Sequence, residues 1–498
     1  MNGDEKSDEA VVPEKRANNA AEAVAEHVEE RASAKRNTDE FTAARAQNRS
    51  TASRDLNSVR KAARMHRDER FTSLLHYVDV DRLRESFYSL KRKSAAGSDG
   101  LRWMDYQEGL EERLVDLHSR IHSGRYHAKP ARRTTIPKAD GGERKLSIWC
   151  LEDKIVQQAI VTVLNAVYEE DFLGFSYGFR QGKGQHDALD ALSTGIIRRR
   201  VNWVLDADIQ SFFDQIDHDW MMRFMEHRIA DKRVLRLIRK WLKVGVLDED
   251  GNRLPSDLGA AQGAVISPLL ANIYLHYVFD LWSLSWRKGR ATGDMIIIRY
   301  ADDVVLGFES KSDANRYRAE LDKRLAKFAL NLHPKKTKLI RFGRWAMRDS
   351  KRFYGVKPAT FDFLGFTHYC TVARANGQFA VGRKTIKGRM VATLHIIKSE
   401  LRRRMHRPIS ETGRWLTRVL TGHLNYFSVP GNYKSLAYFF IRVERLWLRS
   451  LRRRSQRNIM TWARFHRIKM IFFPPIKVLH PYPKARFDAK TQGRSPVR

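Results

Sequence analysis

The chain has 498 residues, 42% of them hydrophobic, and 92 Lys+Arg against 57 Asp+Glu give a formal net charge of +35. That is too long for one ordinary domain and apolar enough for real cores, and a cationic surplus of this size points to a polyanion, nucleic acid before an acidic membrane. With Cys150 and Cys370 as its only cysteines, the chain excludes a disulfide framework or a cysteine-based zinc cluster; a polar start and no apolar run near about 18 residues argue for a cytoplasmic protein with no membrane partner.

Residues 1–50 hold 8 basic and 11 acidic residues and few large apolar side chains, so residues 1–55 are expected to form a mobile polar tail. From Leu56 onward "RFTSLLHYVDVDRLRESFYSLKRKSAAGSDG" has helical apolar spacing that ends in a Gly-Ser-Asp-Gly break. "IPKADGGERKLSI" places a Gly-Gly turn between two short extended runs, a hairpin pattern. "LEDKIVQQAIVTVLNAVYEEDF" then puts Ile155, Ala159, Thr162/Val163 and Val167 on one face of a buried helix. "NWVLDADI" reads as a strand, "MMRFMEHRI" and "RVLRLIRKWLKV" as helices, and "SPLLANIYLHYVFDLWSLSW" as a further apolar helix. "GDMIIIRYADDVVLGF" gives two strands of mostly β-branched residues with an Asp pair between them. A helix over "SDANRYRAELDKRLAKFAL" and a short strand with a turn over "FDFLGFTHY" follow. Between Arg383 and Met470 stand 22 basic and 3 acidic residues, a footprint for phosphates. Within it, Leu436, Phe440, Val443 and Trp447 form an apolar helical stripe, and Arg442, Arg445, Arg449 and Arg452 recur on the far side. One such helix is ordinarily a solvated face; repetition in "RRRMHR" and "WARFHRIKM", with aromatics interleaved, shifts the reading toward nucleic-acid contact.

Asp302 and Asp303 alone signal no more than a chain reversal, where Asp is common. Two carboxylates about 4 Å apart at an effective dielectric near 20 repel by roughly 4 kcal/mol. A divalent cation removes that conflict, and hard oxygen ligands with room for water and phosphate suit Mg²⁺. A two-metal phosphoryl-transfer site needs a further carboxylate from another strand. "VLDADIQSFFDQIDH" offers Asp208, and Asp206 shares its parity along the strand, so chemistry alone does not choose between them. Asp214 and Asp217 fit as caps of the next helix.

"YADD" in a strand-turn-strand, preceded by a strand ending in "DIQSFFD", resembles the palm of a reverse transcriptase. "IPKADGGERKLSI", "SYGFRQGKGQHDAL", "VLDADIQSFFDQIDH", "AAQGAVISPLLANIYL", "YADD", "HPKKTKLIRFG" and "FDFLGF" follow in order. Together they resemble the reverse transcriptases encoded by bacterial group II introns, from about Leu56 to the C-terminus. The resemblance implies an α+β right-hand polymerase: fingers and palm, an antiparallel sheet with helices, over 56–380, then an α-helical thumb/maturase (X) domain over 381–470. A basic C-terminal tail over 471–498 would be a remnant of a DNA-binding region. It also implies that Asp208, Asp302 and Asp303 are the catalytic metal carboxylates, with Ile209 lending a main-chain carbonyl. Two Mg²⁺ ions, with Mn²⁺ as a substitute, are the implied cofactors. For the incoming dNTP it implies Lys138 and Arg144 on the triphosphate, Phe213 beneath the sugar against a ribose 2′-hydroxyl, and Gln262 and Gly263 beside the nucleotide. Lys336, with Lys335 an equally near alternative, falls in the motif that assists the pyrophosphate leaving group, and "FDFLGF" matches the element that grips the primer end. Two departures stand out: "KLSIWC" (Lys145–Cys150), where relatives read Pro-Leu-Gly-Ile-Pro, and Ala261, where proline often precedes Gln-Gly.

The C-terminal "GHLNYFSVPGNYKSLAYFFIRVERLWLRSLRRRSQRNIMTW" resembles the maturase domain of intron-encoded proteins. The expected partners are group II intron RNA, contacted by Arg442, Arg445, Arg449 and Arg452, an RNA template with a DNA primer, target DNA and dNTPs, in a nucleoid-associated protein that works as a monomer or a homodimer. No Cys-x-x-Cys pairs with a His-Asn-His constellation follow, so the expectation is an enzyme without the DNA endonuclease of larger relatives. Two alternatives are an RNA-binding splicing cofactor with an inactive palm, and a reverse transcriptase co-opted for host defence or a CRISPR-linked role.

Overall fold

A computed structural model describes residues 16–18, 56–137, 143–350, 357–373, 376–454 and 460–491. The architecture is α+β, and the chain forms two compact units: Met1–Gly182 with Ile209–Arg290 and Ala319–His333, and Lys183–Asp208 with Ala291–Arg318 and Pro334–Arg498. The units interleave along the chain, whereas the sequence reading set boundaries after 55, 380 and 470. Of the expected N-terminal tail, Arg16–Asn18 is described, as a strand parallel to Glu69–Phe71; the rest lies outside the described residues.

The first unit is mainly helical. The long helix Leu151–Asp171 buries Ile155, Ala159, Val163 and Val167 as their spacing requires, and also Val156, Ile160 and Leu164, so it is enclosed on almost every side. Side-chain oxygens of Asp217 and Asp231 accept the free N–H groups that open helices His218–Glu226 and Lys232–Lys243; Asp214 instead sits inside the short helix Phe212–Gln215. The expected apolar helix after Ser267 is interrupted by a π turn at His276–Asp280. The hairpin expected around the Gly-Gly turn is present as Ala131–Pro137 against Glu143–Ile148, extended by Val246–Leu247 and Arg253–Leu254; its turn lies outside the described residues.

The second unit is built on an antiparallel sheet of β1 (Trp203–Asp208), β2 (Met295–Tyr300), β3 (Asp303–Phe308) and β4 (Lys338–Arg341), in the order β4-β1-β3-β2. Helix α1 (Gln185–Arg198) buries Ala188, Leu189, Ala191, Leu192 and Ile196. A second antiparallel sheet follows, of β5 (Phe361–Phe363), β6 (Phe366–Val372) and β7 (Phe379–Thr385). Helices α2 (Lys387–Arg403), α3 (Ile409–Phe427), α4 (Tyr433–Arg452) and α5 (Trp462–Phe472) then enclose a core that includes Leu394, Leu416, Leu420, Val443, Trp447 and Phe465. The stripe Leu436, Phe440, Val443, Trp447 is buried in full, the helical period deciding the face.

The region expected as a basic tail from residue 471 is ordered onto this unit through α6 (Pro483–Thr491). Arg198 pairs with Asp488 at 2.6 Å, Lys490 with Asp187 at 2.7 Å, and Arg486 with the buried Asp190 at 2.7 Å. Arg486 and Lys490 thus meet carboxylates of α1, and Asp488 meets its Arg198, which holds α6 against α1. Among the described residues no helix is long and apolar enough to cross a membrane, and both cysteines are free.

Candidate active site

The second unit gathers the carboxylates. β1 and β3 are neighbours, and their register sets Asp208 directly opposite Asp303. Strands β2 and β3 pair Tyr300 with Asp303, so the reversal consists of Ala301 and Asp302. Ala301 takes a positive φ of 56°, as a two-residue hairpin loop requires of at least one central residue. The fully buried Arg299 braces it, its Nη1 donating to the Ala301 carbonyl at 3.0 Å. A charged residue inside the apolar run "MIIIRY" was the sequence signal for such a buried, paired guanidinium.

Asp206 lies one pleat behind Asp208 on the same face, opposite Val305. Loss of hydration, then the charges of Asp303, Asp208 and Asp362, push its carboxyl up to about 7 against the relief of Lys338. Asp303 reaches solvent at the mouth of the turn, but crowding by protein atoms and the charges of Asp302 and Asp208 still push it up to about 6, eased by Arg389 and Lys336. Lys336, one of the two candidate lysines, places Nζ 3.5 Å from Asp208 Oδ2. Next to it the buried Thr337 hydroxyl lies 3.4 Å from the Asp208 N–H and 3.5 Å from the Asp208 carbonyl, holding the end of β1. Thr337, Arg299 and Arg389 were not singled out from the sequence, whereas Asp206 was weighed there as the alternative to Asp208.

Among the described residues no three His, Cys, Asp or Glu side chains close into a ready-made metal cage. Mg²⁺ keeps several waters and takes only one or two carboxylates plus substrate phosphates, so an open cluster suits it. The register that faces Asp208 with Asp303 beside Asp302 is the observation that fits a divalent cation here; burial, then the neighbouring carboxylates, raise Asp303 and Asp206.

The other nucleotide-contact candidates, and Ile209, lie in the first unit. Lys138 is outside the described residues, as is the side chain of Arg144, whose backbone pairs with Ile136. Ile209 is buried and forms an isolated bridge with Leu332. Phe213 is half-buried, edge-on to Phe212 at 5.4 Å, and its carbonyl accepts from the Ala260 N–H at 2.8 Å. Gln262 accepts the Ser147 N–H on its main-chain oxygen at 2.7 Å. Gly263, at φ +113°, is pressed so closely on that strand that a Cβ would stand 2.4 Å from the Ser147 carbonyl. The close approach expected of Gly263 toward a nucleotide is thus made, in this structure, to the chain itself. Because both contacts use the Ser147 backbone, the departure from glycine to serine there leaves them intact. Trp149, which stands in the same stretch where relatives have proline, is 1% exposed and packs into the core.

On α4, Arg442, Arg445 and Arg449 are exposed opposite the buried stripe. Arg452 is also exposed, but its Nε donates to the Met460 carbonyl at 3.0 Å, a local structural tie.

Residues 136–368 match the family described as "Reverse transcriptase (RNA-dependent DNA polymerase)". The chain is 35% identical over 246 residues to protein YkfC of Escherichia coli strain K12, covering 44% of this chain and 64% of that protein. It is 33% identical over 224 residues to the group II intron-encoded protein LtrA of Lactococcus lactis subsp. cremoris, covering 44% of this chain and 37% of that protein. A nuclear intron maturase of Arabidopsis thaliana, maturase 4, is 28% identical over 135 residues, 27% of this chain and 17% of that protein. The matches span less than two thirds of each of these relatives.

Proposed function

Starting from a chain that carries a reverse transcriptase domain and is related to group II intron-encoded proteins, we propose that it is an RNA-directed DNA polymerase that copies intron RNA and binds that RNA as a maturase. The observation that carries this reading is the register of β1 and β3, which sets Asp208 opposite Asp303 beside the Asp302 turn. A chain used only as an RNA-binding scaffold gains nothing from carboxylates that raise one another's proton affinity.

In this reading Asp208, Asp302 and Asp303, with the main-chain carbonyl of Ile209, would hold two divalent cations, Mg²⁺ by the hardness of the donors. Such ions, when bound, polarise the attacking 3′-hydroxyl and the α-phosphate oxygens of a dNTP. Lys336 holds Asp208 in place in their absence and can turn to meet the departing pyrophosphate. Lys138 and Arg144 would grip the triphosphate, an ammonium and a guanidinium fork suited to phosphate oxygens. Phe213 would exclude a ribose 2′-hydroxyl, and Gln262 would flank the base while Gly263 holds that loop against Ser147. The exposed arginines of α4 would contact intron RNA.

Primer extension on an RNA template with a DNA primer, dNTPs and Mg²⁺ tests this. Wild type should extend and Asp303→Ala should not. Splicing assistance that persists while both proteins are equally inert in extension would replace the polymerase reading with the scaffold reading.

A further inference from the structure

The segment Gly259–Gly263 is tied by its backbone at both ends, within the first unit. At its far end the Ser147 N–H donates to the Gln262 carbonyl at 2.7 Å, on the strand Glu143–Ile148 that also carries Arg144. At its near end the segment is pressed on the turn that carries Phe213. The Ala260 N–H donates to the Phe213 carbonyl at 2.8 Å, and the Gly259 N–H donates to the Ile216 carbonyl at 2.7 Å. Gly259 has φ +87°, and a Cβ there would stand 2.9 Å from the Phe213 carbonyl oxygen and 3.1 Å from that of Asp214. A bare glycine is what lets the two backbones approach so closely.

The Gly259 carbonyl accepts in turn from His218 Nε2 at 2.7 Å. His218 is 7% exposed and opens the helix His218–Glu226, and Asp217 before it bridges to Leu258. The Gly259 carbonyl and the Ala260 N–H belong to one planar peptide group. His218 therefore grips by its oxygen the same plane that holds Phe213 by its nitrogen. A buried carbonyl stripped of its donor is costly to leave unpaired, and turning this one toward another donor would swing the Ala260 N–H off Phe213. The Phe213 ring, half-buried and edge-on to Phe212, rides on the backbone that this peptide fixes.

We infer that His218 is a positioning residue for sugar selection: through the Gly259–Ala260 peptide it sets where the Phe213 ring lies beneath the sugar of the incoming nucleotide. The inference rests on the polymerase reading and on Phe213 as the group that meets a ribose 2′-hydroxyl. Steric exclusion of one hydroxyl depends on the exact place of the ring, since a shift of about 1 Å can change a rate about a hundredfold. A dNTP, lacking that hydroxyl, makes a smaller demand on the same place. His218 acts in this role through Gly259 and meets no part of the nucleotide.

Single-nucleotide incorporation of dNTP and rNTP by the full chain, on an RNA template with a DNA primer, tests this. His218→Asn leaves its amide short of Gly259 and should lower the preference for dNTP, taken as the ratio of kcat/KM values, by about tenfold, the scale of one hydrogen bond. For dNTP kcat should stay within about twofold of wild type, because the altered contact meets the sugar and not the reacting phosphate. His218→Gln, whose amide nitrogen reaches about as far as Nε2, should keep the preference within about threefold of wild type. In a Phe213→Ala background His218→Asn should lower it no further. Gly259→Ala crowds the Phe213 carbonyl from the other side and should lower the preference as well, so it decides the matter if His218→Asn does not fold. An unchanged ratio, Asn and Gln variants that behave alike, or losses that multiply with Phe213→Ala overturn the inference while the polymerase reading stands. A Phe213→Ala ratio equal to that of wild type removes the sugar filter, and the inference with it, again leaving the polymerase. Wild type that extends the primer with neither nucleotide overturns the reading itself, and the inference with it.

Discussion

Replacing Asp190 with alanine should destabilise the second unit more than almost any other single surface-to-core change in it. The Asp190 side chain is 4% exposed and faces two guanidiniums, Arg383 Nη1 at 3.0 Å and Arg486 Nε at 2.7 Å, and Arg383 is itself 2% exposed. Burial pushes the Asp190 carboxyl up and the Arg383 guanidinium down, in each case as the leading influence and against the pull of the partner. Pairing therefore only offsets the lost hydration. Removing one member strands the other, which costs about 3–5 kcal/mol. For a unit of this size that is a fall in melting temperature of roughly 6–20 °C. Arg486, nearer the solvent at 17%, can turn outward, so the stranded charge is Arg383. Asp190→Leu combined with Arg383→Met should then recover most of the loss, to within about 1–2 kcal/mol of wild type, since an apolar pair of similar volume has no hydration to forfeit. Thermal and urea melts of wild type, the two single variants and the double variant decide the matter. A loss under about 1 kcal/mol for Asp190→Ala, or strictly additive single effects, refutes the reasoning.

Gly263→Ala combines a positive φ of 113° with a Cβ 2.4 Å from the Ser147 carbonyl, and should cost at least about 2 kcal/mol in denaturant melts; Gly100→Ala, at φ +71° with open space around it, should cost only the backbone penalty of about 1–2 kcal/mol. Equal costs would show that the packing against Ser147 is slack. Phe213→Ala should relax discrimination against ribonucleotides in primer extension, and an unchanged ratio of rNTP to dNTP efficiency removes Phe213 from that role. With chelator present, the second unit should lose stability as pH rises from about 4 to about 7: Asp303 and Asp206 have folded values near 6 and 7 against 3.8, so the folded state binds more protons across that window. Mg²⁺ at about pH 7.5, above both folded values, should restore the loss and Asp206→Asn should flatten the profile; a melting temperature indifferent to both refutes the assignment of cause. Removing Arg442, Arg445 and Arg449 together should lower the salt slope of intron RNA binding by about 0.7 for each phosphate no longer neutralised, and an unchanged slope places the RNA elsewhere.

Period and register made much of this legible. Alternation through "VLDAD" and "IIIRYADDVVLGF" fixes which residues share a face, and the two strands, once paired, can bring Asp208 and Asp303 together in few ways. The helical stripe of α4 was equally readable, since every third or fourth residue is apolar. What sequence could not supply depends on partners far apart in the chain. Asp190 and Arg383 are 193 residues apart, and nothing local to either announces the other. The same holds for α6: Arg486 and Lys490 look like part of a nucleic-acid footprint until Asp190 and Asp187 account for their charge. Gly263 carried a real signal of close approach, but a lone glycine does not say what approaches it. The π turn at His276–Asp280 lies in an unbroken apolar run, so hydrophobic pattern alone could not reveal it.

Two aspartates of the second unit show what separates a structural carboxylate from a functional one. Asp190 is buried, one oxygen accepting from Arg383 Nη1 and the other in an ion pair with Arg486; no charge is left over to act on anything else. Asp303 is open to solvent, has no ion pair among the described residues, and sits across from Asp208, whose own cation stands 3.5 Å away on an exposed lysine. Both carboxyls are raised, so the shift alone does not tell them apart. The difference lies in what could relieve it. At Asp190 the fold has already brought the positive charge, and adding more would only crowd the site. Around Asp303 and Asp206 the fold holds Lys336, Arg389 and Lys338, which soften the repulsion without ending it. A cluster left in that state is poised for positive charge that arrives from solution with the substrate, and that is the physical reason for proposing the Ala301–Asp302 turn as the place of the chemistry.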